Sequence, residues 1–80
     1  MTSDQASAQL QDELQQVDQE LAELRESAAG LRQQIGERSD GASDAAEVAM
    51  LLTEAEQQEA VVDTLERRRR SLLQRLGEAS

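Results

Sequence analysis

Four carboxylates gather near the middle of the chain: Glu37, Asp40, Asp44 and Glu47. Acids at such spacing on a turn could hold Mg²⁺ or Ca²⁺, although a working site needs several oxygen ligands in fixed geometry. The spacing matches no EF-hand loop. The same residues suit a simpler role, keeping a turn soluble and capping the helix after it. No metal or other cofactor is therefore expected. The second conspicuous cluster is basic, the run Arg67-Arg68-Arg69-Arg70. Such a run could bind phosphate. However, Asp63 and Glu66 each precede an arginine by four residues, the favourable order for ion pairs along a helix. Asp12 and Glu13 are expected to face the run from elsewhere in the chain, so neutralisation within the molecule is the expectation. Covalent and acid–base catalysis lack candidates, because His, Cys and Tyr are absent and no base stands beside the hydroxyls. The chain reads as a non-enzymatic protein.

These residues must be positioned by helices. Leu10, Leu14, Val17, Leu21, Leu24, Ala28, Leu31 and Ile35 follow one another at alternating steps of four and three. That heptad pattern keeps one stripe of a helix turned towards a partner helix. A second seam runs through Val48, Leu51, Ala55, Gln58, Val62, Leu65, Arg69, Leu72 and Leu76. Between them Gly36 to Ser43 supplies two Gly, two Ser and an Asp, the main internal turn signal. The fold class expected is all-α: a single domain over residues 1–80, built as an antiparallel two-helix coiled-coil hairpin. Helix one is placed at about 4–35, the loop at about 36–43 and helix two at about 44–76. Ser3 or Asp4 would cap the first helix, Gly36 would end it, Asp44 with Glu47 would cap the second and Gly77 would end that. Folding about Asp40 sets Leu14 near Leu65, Val17 near Val62, Leu24 near Ala55, Gln58 opposite Leu21 and Arg69 near Leu10. Gly30, inside the first helix, could thin the surface where another backbone approaches.

Composition narrows the function classes. A formal charge of −9 argues against nucleic acid as a direct partner and against anionic membranes. Met1 to Gln5 are polar and acidic, with neither a signal peptide nor a lipidation motif. The apolar run Ala49 to Leu52 is too short to span a bilayer. With no cysteine, the expectation is a cytoplasmic protein. All eight basic residues are Arg, which suggests a GC-rich coding sequence and a bacterial source. A chain that orders only on binding is the competing reading, set against the intact heptads.

The surface hints at association. From Asp44 to Glu66 there are seven acids and no base, and Asp18, Glu20, Glu23 and Glu26 lie across from them. A lone hairpin would place like charges along its own seam. Met50, Leu52, Val61 and Leu73 lie off the seam and widen the apolar face. Isolated hairpins of this size are marginal, because backbone ordering costs about 1–2 kcal/mol per residue. Two hairpins are therefore expected to pair as a homodimer in a four-helix bundle, or one to dock on another protein. The interaction residues expected are Asp40, Asp44, Leu52, Val61 and Leu73, and the leading function is a protein–protein interaction module or small adaptor.

A long hairpin with an acidic tip resembles the coiled-coil fingers of bacterial RNA polymerase secondary-channel factors. In the DksA/TraR family the tip reads Asp-x-x-Asp-x-Ala, and here Asp40, Asp44 and Ala46 stand with one extra residue between the acids. In the Gre transcript-cleavage factors an acid precedes Asn-Ala-Glu-Tyr, to which Asp44-Ala45-Ala46-Glu47-Val48 is similar. The resemblance covers the hairpin outline and the tip, without the zinc-finger or globular domain of those families. It implies, as the alternative function, a modulator of RNA polymerase acting through Asp40 and Asp44.

Overall fold

Ala, Leu, Glu, Gln and Arg, all good helix formers, fill both halves of the chain, and no proline interrupts them. In the computed structural model, which describes residues 2–39 and 44–79 and, within them, the side chains of 4–38 and 44–78, they form two helices. Helix α1 spans Thr2–Ser39 and α2 spans Ala45–Ala79. They pack side by side as an antiparallel helical hairpin measuring 63 × 14 × 13 Å. Asp40 and Ser43 lie outside the described residues.

Both helices run past the stops expected of their glycines. Helix α1 continues through Gly36 to Ser39, and α2 continues through Gly77 to Ala79. Neither glycine takes a positive φ. A helix ends at glycine when the chain needs left-handed geometry there. Here flanking residues of high helix propensity and the partner helix carry the backbone straight through. At the amino end Asp4 lies in the first turn rather than before it, where its charge suits the helix dipole. Asp44 does cap α2: its Oδ1 accepts the Ala46 N–H at 3.0 Å, and its carbonyl accepts the Val48 N–H at 3.2 Å. Glu47, expected to complete that cap, pairs across the hairpin with Arg38.

Lengthening α1 by about one turn moves the folding point and with it the register. Four cross-helix pairs define the observed alignment: Glu13–Arg68, Asp18–Arg69, Arg25–Glu66 and Arg32–Glu59. This alignment sets Leu14 opposite Leu72, Leu21 opposite Leu65, Leu24 opposite Val62 and Leu31 opposite Ala55. Gln58 comes opposite Ala28 rather than Leu21, and Arg69 opposite Val17 rather than Leu10. The expected pairing, with Leu14 on Leu65, is thus wrong by one heptad. The heptad phase is right, because a slip of one whole repeat leaves each seam facing the other.

The core lies in the half away from the turn. Val17, Leu21 and Leu72 are buried, with Leu10, Leu14, Val62 and Leu65 packed around them. Nearer the turn the buried residues are the small Ala28 and Ala55. Leu24, Leu31, Ile35 and Leu51 are only half-buried. Removing bulk at the centre should therefore unfold the hairpin. Leu21→Ala deletes a side chain that is 1% exposed, a change costing about 2–5 kcal/mol. Circular dichroism of this variant should show loss of most of the helical signal at 37 °C, whereas the exposed Gln16→Glu should retain it.

The glycines give the opposite result. An added Cβ at Gly30 or Gly36 meets nothing within 4 Å, so no backbone approaches Gly30 closely. Gly30→Ala and Gly36→Ala should each stabilise by about 0.5–1 kcal/mol. Thermal melts should show the two gains adding, and a loss at either position would contradict helical geometry there.

Candidate functional site

Charged side chains pair along the boundary between the two helices. Arg32 meets Glu59 through two hydrogen bonds, Nε to Oε2 at 2.9 Å and Nη2 to Oε1 at 2.6 Å. This fork-to-fork geometry is the strong form of the contact. Hydrogen bonding to Arg32 holds the Glu59 carboxyl below its usual value of 4.5, and the same bond raises Arg32. Arg25 Nη2 donates to Glu66 at 2.8 Å, Arg68 Nη2 to Glu13 at 3.2 Å and Arg69 Nε to Asp18 at 2.6 Å. The arginine run is thus partly neutralised within the molecule: Glu13 meets it as expected, through Arg68, while Asp18 meets Arg69 and the expected pairs along α2 do not form. Glu66 pairs with Arg25 instead of Arg70, and Arg67 reaches the Thr64 hydroxyl at 3.5 Å. Arg69 occupies a seam position and bends its guanidinium out to Asp18, leaving its stem over the apolar stripe.

At the tip, Asp44 is exposed and its carboxylate is engaged in the cap. Among the described residues no group of three acids is placed to hold a metal ion. No helix among them is long and apolar enough to cross a membrane.

The off-seam apolar residues do not make one patch. Leu52 and Leu73 lie on one flank of the α2 seam, three heptads apart, and Leu52 is half-buried. Val61, 47% exposed, lies on the opposite flank; Leu73 is 41% exposed. The outer face of α2 instead carries a shallow groove that none of these three lines. Ala49, Met50, Thr53, Glu54 and Gln57 line it, and Met50 is 74% exposed. One and two turns further along, Ala60 and Thr64 extend the same stripe.

The two threonines explain how a stripe with few large hydrophobes can still be apolar. Thr53 Oγ1 donates to the Ala49 carbonyl at 3.0 Å, and Thr64 Oγ1 to the Ala60 carbonyl at 3.2 Å. Both hydroxyls are satisfied within the helix, so covering them leaves no donor stranded. Their methyl groups are left to pack. Hydrophobic spacing alone does not find this face, because Ala, Thr and Gln carry little weight in such a pattern. The back-bonding of threonine at helix positions was the available signal. The outer face of α1 differs: Gln11, Asp12, Gln15, Gln16, Gln19 and Glu26 make it largely polar, and its exposed apolar residues there are alanines such as Ala22 and Ala29.

No family model matches the chain, and neither a curated protein nor a solved structure matches it.

The Arg32–Glu59 pair predicts a pH dependence. Because the folded carboxyl titrates below its unfolded value, its contribution is complete above the unfolded value. It is lost as pH falls through the lowered folded value. The melting difference between the parent chain and Glu59→Gln should therefore stay constant near neutrality and shrink below pH 4.5. A difference independent of pH down to the acid limit would show that the pair contributes nothing.

Proposed function

We propose that this protein is a non-enzymatic interaction module, an acidic helical hairpin that presents the outer face of α2 to a partner helix. The observation supporting this most directly is Met50. A large apolar side chain 74% exposed, on a stripe whose hydroxyls are already satisfied, gains from being covered. Burying such a side chain is worth about 1.5–3 kcal/mol. The face lies on α2 in the half of the hairpin nearer the turn, whose buried residues are Ala28 and Ala55. The partner is a helix of another protein or of a second copy. Two hairpins joined through α2 would form the four-helix arrangement.

The absence of cysteine supports a cytoplasmic setting, and arginine as the sole basic residue supports a bacterial one. A polymerase-channel role through the tip draws no support from Asp44, because that carboxylate is committed to capping α2.

The test uses the tagged 80-residue chain in cells of its own organism. It should retrieve a partner in stoichiometric amount. Met50→Glu, which places a charge on the stripe, should reduce recovery about tenfold or more while circular dichroism is unchanged. Gln16→Glu on α1 should leave recovery within about twofold, as expected for a surface change away from the contact. Recovery unaffected by Met50→Glu would remove the outer face of α2 from the function.

A further inference from the structure

Acids border the α2 stripe on both sides. Glu54 lies on one flank, and Glu56 and Asp63 lie on the other. Glu54 and Asp63 form no ion pair among the described residues, and Glu56 acts on Arg32 only at longer range. The acids that face the other helix, Glu47, Glu59 and Glu66, are by contrast each matched to an arginine. The hairpin thus pairs five of its arginines where the two helices meet. Asp63, at the far end of the stripe, has Arg67 and Arg70 beside it, whereas Glu54 and Glu56 border the stripe near Met50 without an ion pair among the described residues.

We propose that the occupant of this stripe is a basic amphipathic helix of another protein, with a small-residue or apolar stripe flanked by Arg or Lys. This rests on the interaction-module reading and specifies its partner. Charge complementarity carries the choice. An Arg on each edge of such a helix can reach Glu54 on one side and Glu56 or Asp63 on the other. The small Ala49, Thr53 and Ala60 let its backbone come close. A second copy docked antiparallel about the middle of this stripe would bring Glu56 of each chain towards Asp63 of the other. Like charges opposed across an interface disfavour that pairing. Arg67, which donates to the Thr64 hydroxyl, marks the far end of the stripe, and Arg70 and Arg75, without an ion pair among the described residues, lie beyond it.

The probes are three helical peptides about 20 residues long, enough to hold a helix in isolation. All share one Ala/Leu stripe, flanked by Arg, by Gln or by Glu. Titrated by calorimetry into the hairpin, the Arg-flanked peptide should bind at least about tenfold tighter than the Gln-flanked one, and added salt should weaken it. The triple change Glu54→Gln, Glu56→Gln, Asp63→Asn should weaken it about tenfold. A control that removes the same charge from α1, Asp12→Asn, Glu23→Gln, Glu26→Gln, should change it less than about twofold. Met50→Glu adds a negative charge and should nevertheless weaken binding.

Equal losses from the two triple variants would mean attraction by net charge alone and overturn the proposal. Equal binding of the Arg- and Gln-flanked peptides, still lost with Met50→Glu, would overturn the basic partner while leaving the docking face intact. No peptide binding, together with a dimer in sedimentation equilibrium that Met50→Glu dissociates, would assign the stripe to a second copy and overturn the proposal. No peptide binding and no effect of Met50→Glu on partner retrieval would overturn both this proposal and the functional reading beneath it.

Discussion

The alignment of the two helices rests on charges that are individually weak. Each seam repeats every seven residues, so apolar packing alone distinguishes poorly between registers that differ by one repeat. The flanking charges break that near-degeneracy. In the observed alignment Arg25, Arg32 and Arg68 each meet a carboxylate. A slip of one heptad would bring Asp18 towards Glu66 and Glu20 towards Glu54. It would also leave Leu72 and Leu76 without large partners on α1. An exposed ion pair contributes about 0–1 kcal/mol, too little to hold a fold. The difference between several attractive pairs and several repulsive ones is enough to choose among folds of similar burial. The charges act here chiefly as selectors.

The seam is also uneven along its length. Leu and Val fill it around Leu21 and Leu72, and Ala28 and Ala55 replace them towards the turn. Gln58 occupies a seam position opposite Ala28, and its Oε1 is buried without a hydrogen-bond partner. Leaving such an atom unpaired costs about 1–3 kcal/mol. The half nearer the turn therefore contributes less to stability than the half away from it. The outer face of α2 that carries Met50 overlies this weaker half. Covering that face would add burial where the hairpin has least, which couples partner binding to the order of the tip half.

The acidic balance has a similar logic. With 17 acids against eight arginines, internal pairing cannot neutralise the chain. Five of the arginines go to the helix–helix boundary, where like charges would otherwise oppose the fold. The surplus acids remain on the outer surfaces, where water and salt screen them. On α1 they are mixed with glutamine and make a solvated face. On α2 they border an apolar stripe, and the same composition becomes a charged rim.

Much of the architecture was legible in the residues alone. Two heptad seams of similar length and one glycine- and serine-rich break were enough to call for an antiparallel hairpin, because helical periodicity is a local property written every three or four residues. The α2 cap at Asp44 was legible for the same reason. The helix ends were not: Gly36 and Gly77 read as stops, yet packing against the partner helix keeps both inside helices. The one-turn extension of α1 then displaced the register by a heptad, which local pattern cannot register because the seam looks the same to itself after seven residues. The arginine partners changed with it, so Glu66 pairs with Arg25 and Asp18 with Arg69. Of the off-seam apolar residues singled out by hydrophobicity, Met50 lines the α2 groove, while Leu52, Val61 and Leu73 do not. The groove itself, built from Ala49, Met50, Thr53, Glu54 and Gln57, is decided by which side of α2 the partner helix leaves open. Only the packing of one helix on the other determines that.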